Sequence, residues 1–146
     1  MANAMDVVDY FLSKASVDED SNLTNLKVQK LLYYVQGFHL AIEDTELFPE
    51  TIEAWRYGPV CPEIYHELKS YGANAITKAV EGKDFTKIFS QEQRELVDEI
   101  YEVFGQYSAW KLRDMTHEEP TWINNQDSAS EITQDEMKEY FKTRLK

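Results

Sequence analysis

The sequence has one cysteine, Cys61, so no intramolecular disulfide can form and a reducing compartment costs the fold nothing. No run approaches the about 20 apolar residues of a membrane-spanning helix. The first ten residues lack a basic n-region and carry Asp6 and Asp9 where a secretory leader is apolar. Together these absences predict a soluble, cytoplasmic protein with no membrane partner. Positive charge is also scarce. Lys and Arg number 15 against 27 Asp and Glu, a net charge of -12. Such a field repels phosphate backbones, and Lys27 and Lys30 alone do not make a basic patch. General nucleic-acid binding is therefore not expected. The acidic balance favours solubility or a basic protein partner.

The patterns of common catalytic and metal chemistry are missing too. There is no Gly-rich phosphate loop, since Gly58 and Gly72 stand alone. His117-Glu118-Glu119 lacks the second His, four positions on, of a helical zinc-protease motif. Cys61, His39, His66 and His117 are the one conceivable ligand set, and they are scattered without the paired spacing of a structural zinc site. No metal or cofactor is expected. Glu118 and Glu119 are adjacent, so they are not placed to flank one substrate bond. Cys61 has no Cys or Lys neighbour. It reads as a small, near-buried residue beside a helix start, although a helix N-terminus can also lower a thiol pKa.

What remains is enough for a core. The chain has 146 residues, 42% hydrophobic and 13% aromatic, which predicts one domain over residues 1–146. Val7, Val8, Phe11, Leu12 and Ala15 recur at helical spacing. Residues 16–22 are polar and acidic and read as a loop. Thr24 or Asn25 caps a second helix, whose stripe is Leu31, Leu32, Val35, Phe38 and Ile42, with Leu26 and Val28 at its start. It ends near Asp44 and is expected to be the central core helix. Then the period changes to two. Ile52, Ala54 and Arg56 alternate with Glu53, Trp55 and Tyr57, predicting a short strand or hairpin around residues 51–57 that ends in a turn at Gly58-Pro59.

The remaining signals are helical. Pro62 opens a helix with Ile64, Tyr65, Leu68 and Tyr71 on one face, closed by Gly72. Residues 73–89 carry little signal beyond a turn at 81–84. Ser90 and Gln93 form a capping box for a helix through Leu96, Val97, Ile100 and Phe104, closed by Gly105. Ser108 caps a helix bearing Trp110, Leu112 and Met115, which ends before Pro120. Trp110 reads as a core residue. After a polar loop over 124–130, Thr133 and Glu136 form a second capping box. Ile132 and Met137 have staple spacing, and the last helix carries Met137, Tyr140, Phe141 and Leu145. The expected fold is a mainly α, compact helical domain with at most a small β-hairpin or short strand.

Two motifs tie a Trp to a Pro at an element boundary: Ala54-Trp55-Arg56-Tyr57-Gly58-Pro59-Val60 and Thr116-His117-Glu118-Glu119-Pro120-Thr121-Trp122. Gly58 and Pro59 read first as residues of backbone shape. Trp55 and Trp122 read as core residues or as rigid contact anchors. With Tyr33-Tyr34 in a Leu/Lys/Gln-rich helix, Tyr65 and Leu112, these motifs resemble the SocA-like antitoxin, or Panacea, domain found in phage-associated proteins. The resemblance runs from about Leu26 to Phe141. It implies a mainly helical fold and an antitoxin that neutralises a partner toxin by direct protein–protein contact. The cognate toxin is expected to be basic, given the charge of this chain. The expected partner-binding residues are Trp55, Arg56, Tyr57, Gly58, Pro59, Val60, His117, Glu118, Pro120 and Trp122. Two other readings stand beside it. One is an adaptor that delivers a client protein to another machine. The other is a hydrolase-like enzyme with His117 and Glu118 as acid and base, which lacks a visible nucleophile, metal or cofactor.

Overall fold

In the computed structural model, residues 2–15 and 23–145 are described. The loop expected over residues 16–22 lies outside them. The order of elements is α1 (Ala4–Ala15), α2 (Asn25–Glu43), β1 (Ile52–Trp55), β2 (Gly58–Val60), α3 (Pro62–Leu68), α4 (Phe85–Ile88), α5 (Gln91–Phe104), α6 (Ala109–Thr116), α7 (Pro120–Ile123), β3 (Glu131–Ile132) and α8 (Gln134–Lys142). The fold is mainly helical, as the periodicities predict. The sheet is larger than a hairpin, because β3 pairs antiparallel with β1 and gives the order β2-β1-β3.

The middle of the molecule is α2, which packs against α1, α3, α5, α6, α8 and β2. Thr24 caps it by accepting from the Lys27 amide, and it stops at Asp44 in the left-handed region. The expected stripe holds for Leu31, Leu32 and Val35, which are fully buried. Ile42 instead faces solvent at the helix end. Neighbours cover almost every side of α2, so burial exceeds one stripe. Phe104 of α5 stacks on Tyr34 at 4.1 Å. Phe141 of α8 lies so close over Gly37 that a Cβ there would fall 2.1 Å from its ring. Only glycine permits that approach.

Because α2 is surrounded, its polar side chains are buried as well, and each must find a partner. They find it in the backbone of non-helical segments. Gln29 Oε1 accepts from the Cys61 amide at 2.7 Å. Gln36 accepts from the Leu47 amide at 2.8 Å and donates to the Phe48 carbonyl at 2.7 Å. Lys30, with no exposed surface, donates to the Pro59 carbonyl at 2.9 Å. Burial pushes the Lys30 ammonium down to about 7. Tyr33 and Tyr34 donate to the two oxygens of Glu119 at 2.6 and 2.7 Å, and Tyr33 also meets Thr121 at 2.6 Å. Burial pushes the Glu119 carboxyl up, while the two tyrosines and Arg144 oppose it.

Capping signals are realised where the sequence places them. Ser90 with Gln93 and Thr133 with Glu136 each form the full reciprocal box. Ile132 and Met137 are both buried, as a staple requires. Ser108 caps α6, which ends before Pro120 as expected, and Pro120 opens α7, a short helix the sequence does not suggest. Residues 73–84, where the sequence shows only a turn at 81–84, are tied down by charge. Lys78 and Lys83 pair with the buried Asp9 of α1 at 2.9 and 2.6 Å, and Lys83 also reaches Asp6.

Three expectations are corrected. The turn expected at Gly58-Pro59 lies one step earlier, at Arg56 and Tyr57, and Gly58 and Pro59 belong to β2. An edge strand tolerates proline because its missing N–H removes no ladder bond on the open side. Gly58 has φ +109, and a Cβ there would meet Lys30 Cε at 2.7 Å and Thr116 Oγ1 at 2.8 Å. Trp110 is 56% exposed, so it is not a core residue. Leu145 lies beyond the end of α8 and faces solvent.

Two measurements follow from the buried polar groups. Between about pH 7 and 10.5 the unfolded chain binds a proton at Lys30 that the folded chain does not, so folded stability rises with pH in that window. The stability of the parent relative to Lys30→Met should therefore rise as pH goes from 7 to 10, by up to about 1.4 kcal/mol per unit. A difference independent of pH in urea denaturation would contradict the buried charge. Glu119→Ala strands two tyrosine hydroxyls and should cost about 3 kcal/mol or more. Tyr34→Phe, which removes one donor, should cost about 1.5 kcal/mol. Equal and small losses would show that the carboxylate is not the hub of this cluster.

Candidate functional site

The two Trp/Pro motifs, more than fifty residues apart in sequence, meet in space. Trp122 of α7 is buried, and its indole N–H donates to the Trp55 carbonyl at the end of β1, at 2.7 Å. His117 stacks flat on the Trp122 ring, with centroids 3.8 Å apart and planes 7° from parallel. Burial first, then the cations of Arg113 and Lys30, push the His117 imidazole below its ordinary value. Asp114 and a hydrogen bond with the Arg56 backbone oppose that shift. The His117 Nε2 is buried without a hydrogen-bonding partner among the described residues. His117 thus serves as a flat wall behind the hairpin, and Glu118 beside it faces solvent.

The ten residues expected to bind a partner divide by exposure. Gly58, Pro59, Val60 and Trp122 are buried. Trp55 and His117 are half-buried, whereas Arg56, Tyr57, Glu118 and Pro120 are exposed. The buried members shape the tip of the β1–β2 hairpin from beneath. Lys30 holds the Pro59 carbonyl, and Thr116 fills the space that a side chain at residue 58 would need. The exposed members are the ones a partner could reach.

Residues the motifs did not single out complete the surface. The Trp110 ring, on the first turn of α6, meets Tyr57 edge-on at 5.8 Å. The Arg113 guanidinium lies 5.1 Å over Trp110 and 5.8 Å over Tyr57, and that of Arg56 lies 5.5 Å over Tyr57. On the other side Tyr65 of α3 stands edge-on to Trp55 at 5.0 Å. Trp55 spends its indole N–H on Glu53 at 2.8 Å. Between the two sides runs a cleft of 530 Å³, lined by Leu26, Trp55, Tyr57, Val60, Tyr65 and Trp110 among others. Tyr57 and Trp110 are 45% and 56% exposed.

Trp110 had a readable signal. It precedes the buried Leu112 by two positions, about 200° around a helix, which puts it on the opposite face. Tyr65 had a weaker one, since its helix is only seven residues long.

The chemistry of this surface is that of contact. Cys61 is buried at the start of α3, and burial pushes its thiol up to about 11, so the thiolate needed for attack is suppressed at neutral pH. Lys30 is sealed beneath the hairpin. Among the described residues no three His, Cys, Asp or Glu side chains come together as a metal set, and no helix is long and apolar enough to cross a membrane.

Residues 28–123, which contain both motifs, match the family described as Antitoxin SocA-like, Panacea domain. The chain is 30% identical over 123 residues to Antitoxin SocA of Caulobacter vibrioides (strain NA1000 / CB15N), covering 79% of this chain and 65% of the relative. The chain thus spans somewhat less than two thirds of the length of the curated relative it matches. No solved structure matches it. The chain belongs to the SocA-like, Panacea-domain antitoxin family.

Proposed function

We propose that this chain neutralises a toxin protein by binding it directly, without chemistry of its own, and that the toxin docks on the cleft that the β1–β2 hairpin, α3 and Trp110 of α6 enclose. The observation that carries the proposal is the cluster of Tyr57, Tyr65 and Trp110, three exposed aromatic rings around one cleft. Rigid aromatic side chains supply much contact area at small entropic cost and dominate binding hot spots. Of the ten residues read from the motifs, Arg56 and Tyr57 are direct contacts, and Trp55 joins them from the cleft wall. Gly58, Pro59, Val60, His117 and Trp122 hold the hairpin in shape. Glu118 and Pro120 lie on the rim.

The net charge of -12 supports a basic toxin. It acts at long range, raising the encounter rate and losing effect as salt rises. An antitoxin name on the relative and the suppressed thiol both favour binding over catalysis. His117, stacked on Trp122 and pushed below its ordinary pKa, is better suited to a structural wall than to an acid.

Co-expression with each neighbouring gene tests the reading. One gene product should arrest growth alone, and this chain should restore growth and co-purify with it. Trp110→Ala and Tyr57→Ala should each weaken the complex by about tenfold or more, while Glu118→Gln changes it little. Both rings are exposed, so neither variant should lose stability. Full rescue by the double Tyr57→Ala, Trp110→Ala variant would remove the cleft from the interface.

A further inference from the structure

The local charge of the cleft is opposite in sign to that of the chain. Acidic residues outnumber basic ones by 27 to 15 overall. Yet the described residues lining the cleft include Arg56 and Lys69 and no carboxylate. Arg113 adds a third cation at one edge, over the Trp110 and Tyr57 rings. The depression between α2 and α5 shows the reverse sorting, with Glu43, Glu92, Glu95 and Glu99 and no Lys or Arg. Two carboxylates near the cleft are already engaged, Glu53 by the Trp55 indole and Asp114 by Arg113 at 3.1 Å. Neither Arg56 nor Lys69 has an ion pair among the described residues.

The aromatic faces point the same way. Open Trp and Tyr faces would suit an incoming cation. Here the chain's own guanidinium groups occupy them: Arg113 lies over Trp110, and Arg56 and Arg113 lie over Tyr57. A lysine or arginine from a partner would meet like charge and find the Trp110 and Tyr57 rings already engaged by cations. An apolar side chain can still enter between Trp55, Tyr65 and Trp110, and a carboxylate beside it would find two free cations.

We propose that the occupant of the cleft is an acidic–apolar segment of the partner protein. Its aromatic or branched aliphatic side chain enters between the rings, and its flanking carboxylates meet Arg56 and Lys69. The proposal rests on the reading of this cleft as the toxin-docking surface and adds the chemistry of what it accepts. It is compatible with a toxin that is basic overall. The summed acidic field of the chain acts on approach and weakens as salt rises, whereas the groups in contact decide which segment seats.

Three labelled synthetic peptides of equal length test it by fluorescence anisotropy. One alternates Asp or Glu with Phe and Leu, one alternates Lys with Phe and Leu, and one alternates Asp or Glu with Ser. The acidic–apolar peptide should bind about tenfold or more tightly than either of the others. In the double variant Arg56→Glu, Lys69→Glu the preference should pass to the basic–apolar peptide, and Trp110→Ala should weaken both apolar peptides. Arg56 and Lys69 are exposed, so an unchanged thermal midpoint should accompany the charge reversal. Equal affinities, a basic preference in the parent, or no binding of any peptide at millimolar concentration would overturn the proposal. So would sedimentation showing that a second copy of the chain fills the cleft. The same variants in the toxin complex separate the two readings. If Trp110→Ala disrupts the complex and the charge reversal leaves it intact, the cleft is the docking surface and the acidic segment is wrong. If neither variant matters, both readings fall.

Discussion

The structure depends on hydrogen bonds between the buried polar side chains of α2 and the backbone of the β1–β2 hairpin and the segments that flank it. A helix covered on nearly all sides can keep Gln29, Lys30 and Gln36 only if each finds a partner, because an unpaired buried amide or ammonium is costly. The partners are the Cys61 amide, the Pro59 carbonyl, the Leu47 amide and the Phe48 carbonyl. These lie just before β1 and along or just after β2. A two-stranded ribbon is marginal by itself. Here the helix behind it supplies the fixed points, and β3 adds a third strand.

The same logic holds the second corner. Glu119 is accepted into the interior because Tyr33 and Tyr34 both donate to it, and Thr121 bonds one of them in turn. That cluster fixes the start of α7 on α2. Trp122, three residues on, then reaches the Trp55 carbonyl. Both motifs are therefore anchored to one helix before they touch each other. What projects from this frame is the hairpin turn with Arg56 and Tyr57, whose ring packs edge-on against Trp110 along one side of an open cleft. The frame is buried and polar, and the presented surface is aromatic with a cationic rim.

The sequence carries some of this plainly. Capping boxes, Pro at helix starts and the change of period at Ile52 are local signals, and local structure obeys them. The resemblance to the antitoxin family is legible because both motifs occupy corners whose shapes need particular residues. Gly58 must adopt a positive φ against Lys30, and Trp122 must reach a carbonyl. Other features were not legible. β3 is two residues long, too short to show a period, and it exists through its pairing with β1. Glu119 and the exposed Glu118 are adjacent and identical in type, and only tertiary packing separates them. Lys30 sits one residue from the leucine stripe, and nothing local says that a strand will cover it. Trp110 is the instructive case: an aromatic residue suggests core, but its angular position opposite Leu112 places it on the surface.

Charge is sorted over the molecule in a way that composition hides. Carboxylates gather along α5 with Glu43 at the end of α2 beside them, cations gather at the cleft, and the net value of -12 averages the two. On the proposed function, a toxin protein is the partner to look for and the cleft is where it docks. The most direct measurement is hydrogen–deuterium exchange of this chain alone and in complex with the toxic gene product. Exchange should slow at the Arg56–Tyr57 turn and in the first turn of α6 around Trp110, with α8 unchanged. Protection confined to the acidic face of α5, with the hairpin turn and α6 exchanging as in the free protein, would contradict the account.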